Sequence, residues 1–283
     1  MSEDKKTTPE VIKQNGQTVP FDKGKLRQSL KQAHAPDDVV AEIVKEIQKA
    51  SDGEITTNTI YQLAYDKLKE HRKAYAAQYS LRESLADLGP TGYPFESFVA
   101  RIFAAKGFDT EVGVVVQGSC IEHEVDVVAE NEDRLAFVEA KFHNERSIKS
   151  SVQTPLYVRA RFDDIAKSNH GRFADDDRDV EYWVVTNTKF SDQAKEYGDC
   201  MGLQMIGWDY PDDQSLEDLI TETSLQPVTA LTTLNNSHKQ ELTKQDVVLC
   251  KNLRNQEDKL KALGFTDEQV TEVMDEVNHL CHV

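Results

Sequence analysis

The chain predicts a mixed α/β (α+β) protein: a small helical domain opened by a β-hairpin, a three-layer α/β domain, and a helical C-terminal region. Three observations carry this. Short apolar runs with strand character cluster between 108 and 208. Apolar residues at helical spacing dominate on both sides of them. Gly89-Pro90-Thr91-Gly92-Tyr93-Pro94 interrupts the pattern between the first two parts.

Residues 1–8 are polar and read as a disordered N-terminus. Residues 11–21 read as two short strands about Asn15-Gly16, a pair suited to the positive φ of a tight hairpin turn. Asp22 caps a helix through about 35, with Leu26 and Leu30 four apart on one face. A second helix over 37–50 turns Val40, Ile43, Val44 and Ile47 inward. A third begins at Thr57 or Asn58, and a fourth runs over 73–88. Together these form a first domain over 9–88.

The second domain, 94–210, opens on a helix over 95–106, stopped by Gly107. Strands follow at 108–116, 121–129 and 134–142, the last two joined by the acidic turn Glu130-Asn131-Glu132-Asp133. A helix to Lys167, a strand at 181–187, a helix over 192–201 and a strand at 203–208 complete the order α-β-β-β-α-β-α-β. From 215 to 283 the chain is polar and acidic, with helices near 239–243, 246–254, 257–263 and 267–280.

Bulk properties narrow the function. Cys120, Cys200, Cys250 and Cys281 lie far apart with no CxxC, against a structural zinc or disulfide framework and in keeping with a reducing cytoplasm. No apolar stretch is long enough to span a bilayer, and the polar start lacks the core of a signal peptide, so a cytoplasmic protein without membrane contact is expected. The net charge of −17 opposes nucleic-acid binding by the chain as a whole. The acid is concentrated in the last third, however. Lys141, Arg146, Lys149, Arg159, Arg161, Lys167 and Arg172 make a local basic strip of the kind a phosphate backbone needs. A solvated helix face has the same look.

The chemistry lies in the paired strands. Residues two apart share a face, so Glu124 goes with Asp126, and Glu139 with Lys141. Paired in register, they bring carboxylates and an ammonium to one spot. Hard carboxylate oxygens suit Mg²⁺ or Mn²⁺, and a nearby lysine can orient or help deprotonate water: the apparatus for phosphodiester hydrolysis. Charged alternation is also what a solvated strand face shows.

On Phe95-Glu96, Gly107-Phe108, Glu124-Val125-Asp126, Glu139-Ala140-Lys141, Gln153 and Trp183-Val184-Val185-Thr186-Asn187, the second domain resembles the PD-(D/E)xK, restriction-endonuclease-like superfamily of the Mrr type. The resemblance implies that Asp126 and Glu139 bind the metal and Lys141 supports the water. Gln153 would act near the scissile phosphate, and Glu96 would add an acid from the first helix. His123 and His143 flank the motif.

The first domain resembles an ATP-cone, on Val11-Ile12-Lys13-Gln14-Asn15-Gly16, Phe21-Asp22, Lys25-Leu26 and Ile55-x-Thr57-x-x-Ile60. That implies ATP or dATP as a regulatory ligand. Lys13 and Lys25 would meet the phosphates, with Gln14 where relatives carry Arg, and Asp22 in the signature. Phe21, Leu26 and Thr57 would lie around the base and sugar. No GxxxxGK[ST] is present, so the domain reads as a sensor. The C-terminal region is faintly similar to helix-hairpin-helix modules but lacks their glycine, and reads better as a packing or oligomerisation element.

The expectation is a Mg²⁺-dependent DNA endonuclease regulated by an adenine nucleotide, acting as a homo-oligomer because one metal site cuts one strand at a time. The alternative is a catalytically silent nucleic-acid-binding or nucleotide-sensing assembly protein.

Overall fold

Contacts divide the chain after Leu81 into two units, and the computed structural model describes residues 9–13, 16–51, 53–168 and 178–281. In the first unit, β1 (Glu10–Ile12) pairs antiparallel with β2 (Thr18–Pro20), as the hairpin pattern requires. The 1–8 segment and Asn15 of the turn lie outside the described residues. A third strand, β3 (Glu54–Thr56), lies parallel to the other edge of β1. Sequence reading missed it because three residues are too few to show a period. Its parallel sense needs a crossover. That crossover is α1 (Lys23–Gln32) and α2 (Asp37–Ala50).

The Asp22 carboxylate accepts from the Gly24 and Lys25 amides at 2.9 and 3.1 Å, satisfying two of the orphan donors of α1. This helix stops short of the expected 35, and His34 lies in the left-handed region at φ 58°. The stripe Val40, Ile43, Val44 and Ile47 of α2 is buried against Leu30 and against Ala64 and Leu68 of α3 (Thr57–His71). The single helix expected over 73–88 is two, α4 (Lys73–Tyr79) and α5 (Leu81–Ala86). They break at Ser80, whose hydroxyl donates to the Ala77 carbonyl.

The second unit holds α6 (Tyr93–Ala105), β4 (Asp109–Gln117), β5 (Glu122–Glu130), β6 (Arg134–Lys141) and β7 (Lys149–Ser150). There follow α7 (Gln153–Lys167), β8 (Asp179–Thr186), β9 (Lys189–Phe190), α8 (Asp192–Cys200) and β10 (Gln204–Ile206). The main sheet runs β10-β8-β6-β5-β4, with β4, β5 and β6 antiparallel and β6, β8 and β10 parallel. Phe103 of α6 packs edge-on against Trp183. The next residue, Val184, joins Phe137, Val158, Phe162 and Ile165 in the core under α7. Adjacent strand residues point to opposite faces, so the two helices cover opposite sides and the domain has three layers. Gly107 ends α6 at φ 88°, and the Phe108 amide returns to the Phe103 carbonyl. The two-residue strands β7 and β9, paired parallel, are too short to be legible in sequence.

The C-terminal region is helical: α9 (Leu216–Thr223), α10 (Asn236–Lys244), α11 (Glu257–Ala262) and α12 (Asp267–Leu280). The helix expected over 246–254 is absent. Asp246 takes φ 59°, Leu249 bridges Pro227, and only Cys250–Asn255 winds, as a 3₁₀ helix. The β-branched pair Val247-Val248 suits that extended stretch. Glu276 of α12, only 3% exposed, accepts from the Thr232 and Thr233 amides at 2.8 and 2.9 Å. Among the described residues no helix is long and apolar enough to cross a membrane.

Candidate active site

The site grows from a fault in the β5–β6 ladder. The connecting turn is set by Asn131, whose side-chain oxygen accepts from the Asp133 and Arg134 amides. Regular pairing runs from Glu130↔Leu135 to Val127↔Val138 and stops there. Beyond it the Ala140 amide donates to Asp126 Oδ2 at 2.7 Å, a side chain taking the place of a strand carbonyl. Meanwhile β6 stays bound to β8 as far as Lys141↔Thr186, and β5 to β4 through Val125, Glu124 and His123. The two strands part company at the acids. This places Asp126 beside Glu139-Ala140-Lys141.

Electrostatics show which groups face one another. Glu139 is pushed up to about 7, by burial first and the Asp126 charge second. Glu96, in the first turn of α6, also rises to about 7, through burial and then Asp126, Glu124 and Glu139. Burial raises Asp126 as well, against the opposing pull of the Ala140 amide and Arg161. Burial thus raises three neighbouring acids, Asp126, Glu139 and Glu96, while Glu124 at their border is exposed. Arg161 of α7 supplies the counter-charge. It pairs with Glu139, donates to the Glu124 carbonyl at 3.1 Å, and sits 5.0 Å over the Tyr157 ring.

Next to this lies a cleft of about 380 Å³, lined among others by Glu139, Lys141, His143, Ser150, Gln153 and Tyr157. It brings together Glu139, Lys141 and Gln153 of the expected residues, while Asp126 and Glu96 lie outside its lining. His143 is a wall of the cleft. Its Nε2 meets Ser150 Oγ at 3.0 Å, and its main chain is clasped by the Asn187 amide. Burial and Lys141 lower its pKa. His123 turns away to Asp164, 2.9 Å distant, which also accepts from the Cys120 amide. That pair braces the turn between β4 and β5.

Sequence reading counted Arg161 only as part of a basic strip. The signal for more was present: Gln153, Tyr157 and Arg161 recur every four residues, one helix face.

In the first unit the nucleotide candidates divide. Phe21 and Leu26 are buried in the apolar core, and the Asp22 carboxylate is engaged as the α1 cap. Lys13, Lys25 and Thr57 are exposed, with the Thr57 hydroxyl 3.4 Å from the Ile12 carbonyl. Gln14 lies outside the described residues.

Among the described residues no three His, Cys, Asp or Glu side chains form a ready metal cluster. The donor chemistry nevertheless fits a hard divalent cation. Asp126 and Glu139 are carboxylates whose pKa is raised chiefly by burial, which favours a cation beside them, and one Asp126 oxygen is free of the Ala140 amide.

A mixed five-stranded sheet between α6 and the α7–α8 layer, with an acid pair at parting strands, defines a restriction-endonuclease-like domain. Family models agree: ATP cone domain over 9–87, restriction endonuclease (Mrr catalytic) over 90–210, and AF1548-like, C-terminal over 227–281. An uncharacterized protein of Archaeoglobus fulgidus is 35% identical over 179 residues, 63% of this chain and 97% of its own. The crystal structure of a protein of unknown function, AF1548, is 33% identical with a TM-score of 0.55, covering 68% of this chain and 98% of that one. A structure of VC1899 from Vibrio cholerae is 17% identical at a TM-score of 0.30, covering 71% of this chain and 56% of that one. The chain belongs to the family of this Archaeoglobus fulgidus relative, and carries an ATP cone domain, an Mrr-type restriction-endonuclease domain and an AF1548-like C-terminal domain in that order.

Proposed function

We propose that the protein is a Mg²⁺- or Mn²⁺-dependent DNA endonuclease whose activity is set by ATP or dATP on its ATP-cone. The observation that carries the reading is the Asp126–Ala140 hydrogen bond, which ties the first acid to the Glu139-Ala140-Lys141 strand beside an open cleft. Asp126 and Glu139 would hold a divalent ion, which when bound would neutralise phosphate charge and lower the pKa of water. The Lys141 ammonium, at the exposed end of β6, holds the attacking water and the phosphate oxygens. Gln153, opening α7 and lining the same cleft, orients the phosphate. Lys13 and Lys25 are the phosphate contacts of the nucleotide, and cutting both strands of DNA calls for a homo-oligomer.

One observation favours the silent, DNA-binding reading: Arg161 already occupies Glu139. Supercoiled plasmid separates the two. Wild type is incubated with Mg²⁺ or Mn²⁺, with and without ATP or dATP, beside Asp126→Asn and Lys141→Ala. Metal-dependent nicking absent from both variants supports the nuclease, and identical behaviour of all three refutes it. Calorimetric titration of ATP and dATP into wild type and Lys13→Ala tests the ATP-cone.

A further inference from the structure

Arg161 is a charged group that the proposed chemistry leaves without a task. It stands four residues after Tyr157 and eight after Gln153, on the helix face that borders the cleft. Its guanidinium has five N–H donors in a planar fork. One nitrogen, Nη1, serves both Glu139 and the Glu124 carbonyl. The other terminal nitrogen donates to the Tyr157 hydroxyl at 3.3 Å, and the buried Nε has no hydrogen-bond partner. The Nε side of the fork is therefore unused. Two adjacent oxygens of a phosphate would fit such a fork bidentately.

The pairing with Glu139 has a second consequence. Glu139 and a divalent ion are natural partners, and Arg161 stands in that ion's way. Removing a buried Glu from its Arg leaves an uncompensated charge, so the exchange is favourable only when the departing cation finds another anion. Tyr157 is 62% exposed and lines the cleft, and its ring under the guanidinium gives Arg161 a surface to stay on as it leaves Glu139.

We propose that Arg161 is an internal substitute cation: it holds Glu139 in the ligand-free protein, yields it to the divalent ion, and then grips a DNA phosphate at the cleft. Arg161 is thus a substrate-gripping residue whose use is conditional on the metal. This rests on the nuclease reading above, because it takes Glu139 as the ion's ligand.

The test uses the full chain and two readouts apart from cleavage. Mn²⁺ binding is measured calorimetrically for wild type, Arg161→Gln, Arg161→Lys and Asp126→Asn. Arg161→Gln removes the competitor and tightens Mn²⁺ binding by roughly three- to tenfold, since a competing occupant weakens apparent affinity by mass action. Arg161→Lys keeps a competing charge and stays near wild type. Binding of a labelled DNA duplex is then followed by fluorescence anisotropy in a Lys141→Ala background, which leaves the DNA uncut. With Mn²⁺, adding Arg161→Gln weakens the duplex about tenfold, and Arg161→Lys also weakens it for want of the fork. The slope of log affinity against log salt falls by about 0.9, one phosphate contact. Without Mn²⁺ the Arg161 side chain is still on Glu139, so Arg161→Gln leaves DNA binding unchanged.

An unchanged or weaker Mn²⁺ affinity in Arg161→Gln, or a DNA defect of equal size without Mn²⁺, overturns the proposal while the nuclease reading stands. If wild type takes up Mn²⁺ no better than Asp126→Asn, the nuclease reading fails and takes this proposal with it. Thermal unfolding of each variant identifies a folding defect, which would lower metal and DNA binding together, opposite to the expected pattern.

Discussion

Replacing Glu276 by Ala tests how the C-terminal domain is held. The carboxylate is 3% exposed and accepts from two consecutive amides, Thr232 and Thr233, pinning the 231–234 loop to α12. Hydrogen bonds to a charged acceptor contribute ~1.5–3 kcal/mol each. Thr232 and Thr233 are only half-buried, so water recovers part of that on truncation. The expected loss is about 2–4 kcal/mol for Glu276→Ala. Glu276→Gln keeps one acceptor oxygen and turns an NH₂ toward the second amide, so its loss is smaller, on the order of 1–2 kcal/mol. Urea unfolding followed by tryptophan fluorescence reads this, because Trp183 and Trp208 both lie in the second unit. A Glu276→Ala variant within about 0.5 kcal/mol of wild type, the usual range for inconsequential surface changes, would refute the reasoning. So would a Gln variant as damaged as the Ala one, since Gln keeps an acceptor oxygen and the buried side-chain carbons that Ala loses.

Two further outcomes follow from single groups. Glu217 is pushed to about 7, by burial first and then the neighbouring Asp218 charge. Between about 4.5 and 7 the unfolded chain releases a proton that the folded chain keeps, so stability falls as pH rises across that window. With allowance for the exposed part of the side chain the fall is ~2 kcal/mol, and Glu217→Gln should flatten it in urea titrations at pH 5 and 8. Asp164 is drawn down to about 2, chiefly by its hydrogen bond to His123, and it also accepts from the Cys120 and Ile121 amides. Its contribution is present above about pH 4 and lost as pH falls through 2. Hydrogen exchange at Cys120 and Ile121 should accelerate in Asp164→Ala at pH 7, and unchanged rates would contradict the clasp. Gly118→Ala should loosen the same turn, because a Cβ there would sit 2.3 Å from the Asp164 carboxylate and 2.6 Å from the Ile121 carbonyl.

Long periodic elements were legible in the sequence. α2 occupies the expected 37–50, and β4, β5 and β6 fall within a residue of their expected limits. What escaped was short or decided at a distance. β3, β7 and β9 have no room for a period and exist because a partner edge is free. The missing helix before Cys250 was a propensity misread: Val247 and Val248 had apolar character but not helical geometry. For the site, two-residue spacing put Glu139 and Lys141 on one face, and the cleft has both. Spacing gave no hint that β5 and β6 would separate there, since the main-chain bond that Asp126 replaces leaves no trace in residue order. Nor did it show that Arg161, twenty-two residues beyond Glu139, would be its partner.

The fifteen residues of α7 serve the core, the acids and a remote turn at once. Val158, Phe162 and Ile165 are packed under the sheet, Arg161 reaches Glu139, and Asp164 fastens the β4–β5 connection. Side chains with such different duties alternate within two turns of one rod, which cannot slide for one without sliding for all. A slightly undersized residue at 162 would therefore shift the guanidinium and the clasp together, so mutational scans of the interior should report on chemistry as readily as scans of the cleft.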